Sequence, residues 1–241
     1  MAARILVLCH ANIARSPLLA ARLRLEAVAR GLDGAVEVTS AGVEALWGQP
    51  AATGSRVVAQ RWGVDLGGHH SRPWLHVEPA AHDLVLTMER VHTRGVVRTV
   101  PELEGRVFTA PELAHILADP HVVERLPEGG AADGAAADGA AAGGAAAGAP
   151  AVPIEGVEAP REQVPAVVDR VRGMVALADG SRPGRWQHRR GALEVADPVR
   201  QGQEVYDRLG ERFVDLSAVI AAGLFGPRPD EPAQDGDARS G

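Results

Sequence analysis

The chain has 241 residues, enough for one or two domains, and 46% of them are hydrophobic, which allows a sizeable core. Its formal net charge of −6 argues against a surface that binds nucleic acid. The single cysteine excludes an internal disulfide and a zinc site built on several thiolates. The nine histidines lack metal-ligand spacing, so we expect no metal and no cofactor. No run approaches 18 apolar residues and no signal peptide precedes the cysteine, so we expect a cytoplasmic protein without a membrane partner.

The predicted elements alternate between strands and helices along the chain. Apolar runs typical of strands occupy 4–9, 36–39, 83–88 and 106–108, and segments typical of helices occupy 16–30, 55–62, 110–117 and 164–177. A terminal helix follows, with apolar residues from Tyr206 to Ile220 at three- and four-residue spacing. This alternation predicts an α/β fold: a single three-layer domain with a central, mostly parallel four-stranded sheet and helices on both faces.

The limits of the first two helices are predicted from capping residues and apolar stripes. The first predicted helix has four residues that we expect to face inward, Leu18, Leu19, Leu23 and Val28. Gly31 is a plausible stop for that helix, and Ser55 is the predicted N-cap of the second.

The domain is predicted to span 1–226, with an insertion at 102–194. Within the insertion, the Gly/Ala-rich stretch 129–152 has almost no large apolar side chains, so it cannot offset the entropy of ordering, and we expect a disordered linker. The Pro-, Asp- and Gly-rich tail 227–241 is expected to be disordered for the same reason. The sequence leaves the oligomeric state open.

The only cysteine, Cys9, lies where the first predicted strand meets the first predicted helix. Backbone N–H groups in such a loop point inward and, with the positive end of the helix dipole, form an anion-binding concavity that also stabilises a thiolate. Arg15 adds a planar fork for phosphate oxygens, and Ser16 can donate a hydrogen bond to the sulfur. The pattern predicts a thiol nucleophile under a bound phosphoryl group; the alternative is an inert buried cysteine at a strand end.

The loop resembles the C-x5-R-S motif of the low-molecular-weight protein tyrosine phosphatases, with Asn12 and Pro17 also in matching positions. Four further segments resemble the family, Ser40-Ala41-Gly42, Gly68-His69-His70-Ser71-Arg72, Asp83–Met88 and Asp197-Pro198. The resemblance covers 4–100 and 194–225.

That resemblance implies a phosphatase that hydrolyses phosphotyrosine-type monoesters through a phosphocysteine intermediate. Its substrate would be a phosphotyrosine protein or a small aryl phosphate. The implied catalytic residues are Cys9, Arg15 and Asp197. The implied phosphate-binding and loop-supporting residues are His10, Ala11, Asn12, Ile13, Ala14, Ser16, Ser40 and His69.

Thiol–phosphate chemistry needs a proton donor for the leaving oxygen, and the chain offers two Asp-Pro pairs, at Asp119 and Asp197. Asp119 closes a short predicted helix, where a helix-ending role is adequate. Asp197 precedes the terminal helix, where the family places its acid, so we predict Asp197 as the general acid and base. An ordinary loop carboxylate is the alternative.

The chain departs from the family pattern at two positions. Ala14 stands where the family often has a second cysteine, so no internal disulfide can protect Cys9. Val199 stands where the family commonly has Tyr, and losing that wall of the substrate slot would weaken recognition of an aromatic ester by ~0.5–1.5 kcal/mol. The other wall falls near 45–47, where Trp47 is either at the mouth or in the core, and Trp186 is a candidate replacement.

Two other functions remain open on the sequence. One is an arsenate reductase that uses an external small thiol, although Ser16-Pro17 is more similar to the phosphatase branch. The other is a catalytically weak phosphate-binding regulatory module, suggested by the insertion and by Val199.

Overall fold

The computed structural model describes residues 1–125, 160, 163–182 and 193–229. Four parallel strands form one sheet in the order β2-β1-β3-β4, with β1 at Ala3–Cys9, β2 at Val36–Gly42, β3 at Leu84–Thr87 and β4 at Val107–Thr109. The helices in the described part are α1 (Arg15–Val28), α2 (Thr53–Arg61), α3 (Arg90–Thr99), α4 (Ala110–Leu117), α5 (Pro120–Val123), α6 (Gln163–Gly180) and α7 (Gln203–Phe225). None of these helices has the length and apolar character needed to cross a bilayer.

The central strand β1 separates two apolar cores, because alternate residues of a strand point to opposite faces. Ile5 and Val7 belong to the larger core, with residues of α1, α2, α4, α6 and α7. Leu6 and Leu8 belong to the smaller core, which α3 and a 3-10 turn at Trp74–Val77 cover. The predicted α/β class and the layers of helices on both faces are therefore confirmed.

Several predicted limits differ from the structure. Ser55 is not the N-cap of α2: the helix begins at Thr53, and the buried Ser55 hydroxyl donates to the Ala14 carbonyl at 3.2 Å. Val28 is only half-buried, whereas the three leucines predicted to face inward are fully buried. β2 continues three residues further than predicted, to Gly42, because it pairs with β1 along its whole length.

Parts of the predicted insertion and of the predicted tail make contacts with the core. β4 and α4 fall inside 102–194, yet β4 completes the sheet and α4 packs in the larger core. Arg228, within the predicted tail, binds the fully buried Glu26 carboxylate at 2.8 Å. The predicted linker 129–152 lies outside the described residues.

One buried histidine makes the stability of the fold sensitive to acid. His82 is 1% exposed, its Nδ1–H donates to the Glu78 carbonyl and its Nε2 accepts from the Thr39 hydroxyl, each at 3.2 Å. Burial lowers the pKa of His82 to about 4, whereas a histidine in the unfolded chain titrates near ~6.5. The unfolded state therefore binds the proton first as pH falls, and stability is lost between these two values.

We expect His82 to lower the free energy of unfolding by about 2 kcal/mol between pH 7 and pH 5. Urea unfolding at the two pH values, for the wild type and for His82→Gln, measures this contribution. The variant should lose less stability than the wild type by about that amount. An identical pH dependence in both proteins would show that His82 is not the source.

Candidate functional site

The loop between β1 and α1 is shaped by two residues that accept an unusual geometry. Asn12 adopts φ +56°, in the left-handed region that Asn tolerates better than most residues. Gly42, at the end of β2, lies under the loop: a Cβ there would be 2.6 Å from the His10 carbonyl oxygen and 2.8 Å from the Asn12 nitrogen. Only glycine allows this close approach, so the second strand supports the loop directly.

Asn12 holds the loop through both its side chain and its backbone. Its Nδ2 donates to the Ser16 hydroxyl at 2.9 Å and to the Ser40 hydroxyl at 3.0 Å. Its Oδ1 accepts from the Arg72 backbone N–H at 3.1 Å, and its carbonyl accepts from His69 Nε2 at 2.7 Å. The structure thus brings Asn12, Ser40 and His69 together, as the resemblance implied, and adds Arg72.

His69 serves this network as a neutral donor. Burial lowers its pKa, and the nearby Arg72 and Arg24 guanidinium groups lower it further. The hydrogen bond to a carbonyl requires the proton on Nε2, so the neutral ring is the Nε2–H tautomer. This donor remains in place without adding a full charge beside the loop.

The thiol of Cys9 lies beneath the loop and is 2% exposed. Its Sγ accepts a hydrogen bond from the Asn12 backbone N–H at 3.3 Å and lies 3.1 Å from the Ser16 hydroxyl. The sulfur is therefore held in one position by the Asn12 backbone N–H and the Ser16 hydroxyl.

The rest of the loop presents donors to an anion. Among the described residues, the backbone N–H groups of Ala11, Ile13 and Ala14 have no hydrogen-bond partner, and neither does the buried Nε of Arg15. The loop also leads into the N-terminus of α1, which no side chain caps. Buried donors rarely stay unpaired, so this cluster fits an oxyanion.

Arg15 is 1% exposed, and two carboxylates neutralise its charge. Its Nη1 donates to Glu89 Oε1 at 2.5 Å and to the Val195 carbonyl at 2.8 Å, while its Nη2 donates to Asp197 Oδ2 at 2.7 Å. Sequence reasoning missed Glu89 and Val195. The available signal for Glu89 was its place just after β3, at the sheet edge that carries Cys9.

Asp197 connects this buried arginine to solvent. Its side chain is 41% exposed, and its Oδ1 accepts from the Val199 backbone N–H at 3.0 Å, which orients the carboxylate. Asp119 has a different surrounding: its carboxylate caps α5 by accepting from the His121 backbone N–H at 3.0 Å. α4 begins at the carboxyl end of the sheet, where Cys9 lies, and its eight residues form about 12 Å of helix between that end and Asp119.

Two of the residues considered as walls of the substrate slot, Trp47 and Val199, lie in the described part of the chain. Leu46 and Trp47 are 72% and 60% exposed, so Trp47 is not a core residue, and its ring meets the edge of His76. Val199 is half-buried and packs against the larger core. Trp186 lies outside the described residues. In the part of the chain that the structure describes, no group of three His, Cys, Asp or Glu side chains could hold a metal ion.

The fold and the loop define a class of protein that holds a phosphate-like oxyanion over a cysteine. The family model of the low molecular weight phosphotyrosine protein phosphatases matches residues 4–121. Etp of Escherichia coli (strain K12), a low molecular weight protein-tyrosine-phosphatase, is 39% identical over 104 residues, covering 43% of this chain and 66% of Etp. The probable phosphatase EpsP of Ralstonia nicotianae is 34% identical over 118 residues, covering 48% of this chain and 77% of EpsP.

Solved structures share the fold at lower identity. A mutant of YwlE from Bacillus subtilis aligns with a TM-score of 0.57 at 18% identity, covering 92% of this chain and 99% of YwlE. The tyrosine phosphatase Wzb from Escherichia coli K30, in complex with sulphate, aligns with a TM-score of 0.54 at 20% identity, covering 93% of this chain and 99% of Wzb. On the sequence matches, the chain belongs to the low molecular weight protein-tyrosine phosphatase family.

Proposed function

We propose that the chain is a phosphatase that hydrolyses phosphotyrosine-type monoesters through a phosphocysteine on Cys9. One observation carries this proposal: the buried Cys9 sulfur accepts from the Asn12 N–H under a loop whose Ala11, Ile13 and Ala14 N–H groups, like the buried Arg15 Nε, have no other partner among the described residues. The matches to Etp and EpsP, both named as protein-tyrosine-phosphatases, support the substrate class.

In the first step, the loop amides and Arg15 bind the phosphate dianion, and the Cys9 thiolate attacks phosphorus. The S–P bond forms as the bond from phosphorus to the ester oxygen breaks, and Asp197 donates its proton to the departing oxygen. Donors directed at the equatorial oxygens stabilise the charge of the transition state.

In the second step, the same carboxylate works in reverse. Asp197 takes a proton from water, the water oxygen attacks phosphorus, and the S–P bond breaks to return inorganic phosphate and the Cys9 thiolate. The Ser16 hydroxyl, 3.1 Å from the sulfur, stabilises the departing thiolate. No cofactor is required.

Arg15 links substrate binding to the release of the acid. Its Nη2 is bonded to Asp197, yet the phosphate needs a fork formed by Nε and Nη2. When phosphate takes that fork, Asp197 is freed for proton transfer, while Glu89 keeps Nη1 in place.

The physiological substrate we propose is a phosphotyrosine protein, with small aryl phosphates as model substrates. A nucleophilic thiol without a second cysteine to protect it works only where thiols stay reduced, so we propose a cytoplasmic location. The arsenate-reductase and binding-module alternatives gain no support from the family matches.

We expect Asp197→Asn to lower kcat for phenyl phosphate by about 10²-fold, because the poor leaving group then departs without a proton. The alkaline limb of the pH–rate profile should disappear in this variant. Because p-nitrophenolate is a better leaving group than phenolate, kcat for p-nitrophenyl phosphate should fall less. Asp119→Asn is the matched control and should behave as the wild type. A wild-type profile for Asp197→Asn would remove Asp197 from the mechanism.

A further inference from the structure

The segment Leu193–Asp197 is attached to the sheet edge before it delivers Asp197 to the site. The Val195 N–H donates to the Met88 carbonyl at 2.8 Å, and the Val195 side chain, 1% exposed, is part of the larger core. Glu194 Oε1 accepts from the Arg90 backbone N–H at 3.2 Å. Two residues of this segment are therefore tied to the chain just after β3.

A third attachment comes from Thr109, the last residue of β4. Its Oγ1 donates to the Leu193 carbonyl at 2.7 Å and accepts from the Glu112 backbone N–H at 3.2 Å. Glu112 Oε2 in turn accepts from the Thr109 backbone N–H, which completes a capping box at the start of α4. A hydroxyl has one proton, and here that proton is used on Leu193 while the oxygen caps the helix.

Helix capping alone does not account for this arrangement. The cap uses only the acceptor side of the Thr109 hydroxyl, and the bond to Leu193 crosses 84 residues of sequence. Thr109 is 1% exposed, so without the Leu193 carbonyl its hydroxyl proton would have no water as an alternative partner.

We propose that Thr109 is a positioning residue for Asp197: its hydroxyl fixes Leu193 and thereby the approach of the general acid to the phosphate. This inference rests on the proposed function. In the structure Arg15 holds the Asp197 carboxylate directly, but a bound phosphate takes that donor. The Val199 N–H and the Gln201 side chain still hold Asp197 locally, and the position of that whole turn depends on the anchors of Leu193 and Val195. A looser segment costs rate because reacting groups must be held within a narrow geometry.

Thr109→Val keeps the shape of the side chain and removes both hydrogen bonds of the hydroxyl. We expect this variant to lower kcat for phenyl phosphate about tenfold and kcat for p-nitrophenyl phosphate much less, which is the pattern of a misplaced acid. Thr109→Ser keeps the hydroxyl and should retain the wild-type ratio of the two rates. Glu112→Ala removes the side-chain half of the capping box and the ion pair with Arg182 at 3.9 Å, but leaves the Thr109 hydroxyl on Leu193; it should lower Tm without changing that ratio.

A double-mutant cycle separates positioning from general destabilisation. In the Asp197→Asn background, Thr109→Val should cause no further loss on phenyl phosphate, because the acid that Thr109 positions is already gone. If Thr109→Val keeps the wild-type ratio, or if its effect adds fully to that of Asp197→Asn, the positioning role is wrong. Absence of aryl phosphate hydrolysis by the wild type would instead overturn the proposed function itself.

Discussion

Cys9→Ser is expected to abolish hydrolysis of aryl phosphates, lowering kcat by about 10⁴-fold or more. A serine hydroxyl in the same place is a much weaker nucleophile than a thiolate. The loss should appear in kcat for both p-nitrophenyl and phenyl phosphate, because no proton donor can compensate for a missing nucleophile.

The same variant should still fold and still bind phosphate. Serine is slightly smaller than cysteine and can keep the contacts to Asn12 and Ser16. The loop amides and Arg15 are unchanged, so calorimetric titration with inorganic phosphate should give a Kd within a few-fold of the wild type, with a similar Tm. Substantial turnover by Cys9→Ser would contradict the thiol mechanism.

Arg15→Lys is expected to lower kcat/KM for p-nitrophenyl phosphate by about 10²- to 10³-fold. Lysine keeps the positive charge, but it lacks the planar fork that can hold two phosphate oxygens while a third N–H stays on Glu89. The Glu89 and Asp197 carboxylates also lose their hydrogen bonds to the buried guanidinium, so a fall in Tm should accompany the loss of activity.

Arg22→Lys is the matched control for this change. Arg22 is another arginine of α1 that pairs with a buried carboxylate, Glu26 at 2.6 Å, away from the phosphate loop. Its replacement should affect Tm and leave kcat/KM unchanged. Equal catalytic losses in the two variants would indicate that Arg15 acts through stability alone.

The sequence predicted the local parts of the site well. A run of aliphatic residues before Cys9 and a proline after Ser16 are enough to predict strand, loop and helix, because both signals lie within a few residues. The parallel order of the sheet then places Cys9 and Gly42 at one edge.

The parts that the sequence did not predict depend on contacts between distant segments. Glu89 lies 74 residues from Arg15, and the Val195 carbonyl lies 180 residues from it. Neither a loop glutamate nor a backbone carbonyl has a local pattern that marks it as a partner of a buried arginine. The bond from the Thr109 hydroxyl to Leu193 could not be predicted for the same reason, because a capping box indicates only the start of a helix.

The contacts of β4 and α4 also depend on distant segments. β4 has only three residues and α4 only eight, and their patterns predict the two elements without indicating what each packs against. Their membership of the sheet and of the larger core depends on pairing with β3 and packing against α7.

The most direct test of the account is to trap the covalent intermediate. Asp197→Asn, which slows the attack of water, is mixed with p-nitrophenyl phosphate, whose leaving group needs no proton. The reaction is quenched in acid within milliseconds to seconds and analysed by mass spectrometry of the peptide that contains Cys9. The phosphocysteine mechanism predicts an added phosphoryl group on Cys9, approaching one per chain and absent from Cys9→Ser. Turnover of the aryl phosphate with no phosphate on Cys9, or with phosphate on another residue, would contradict it.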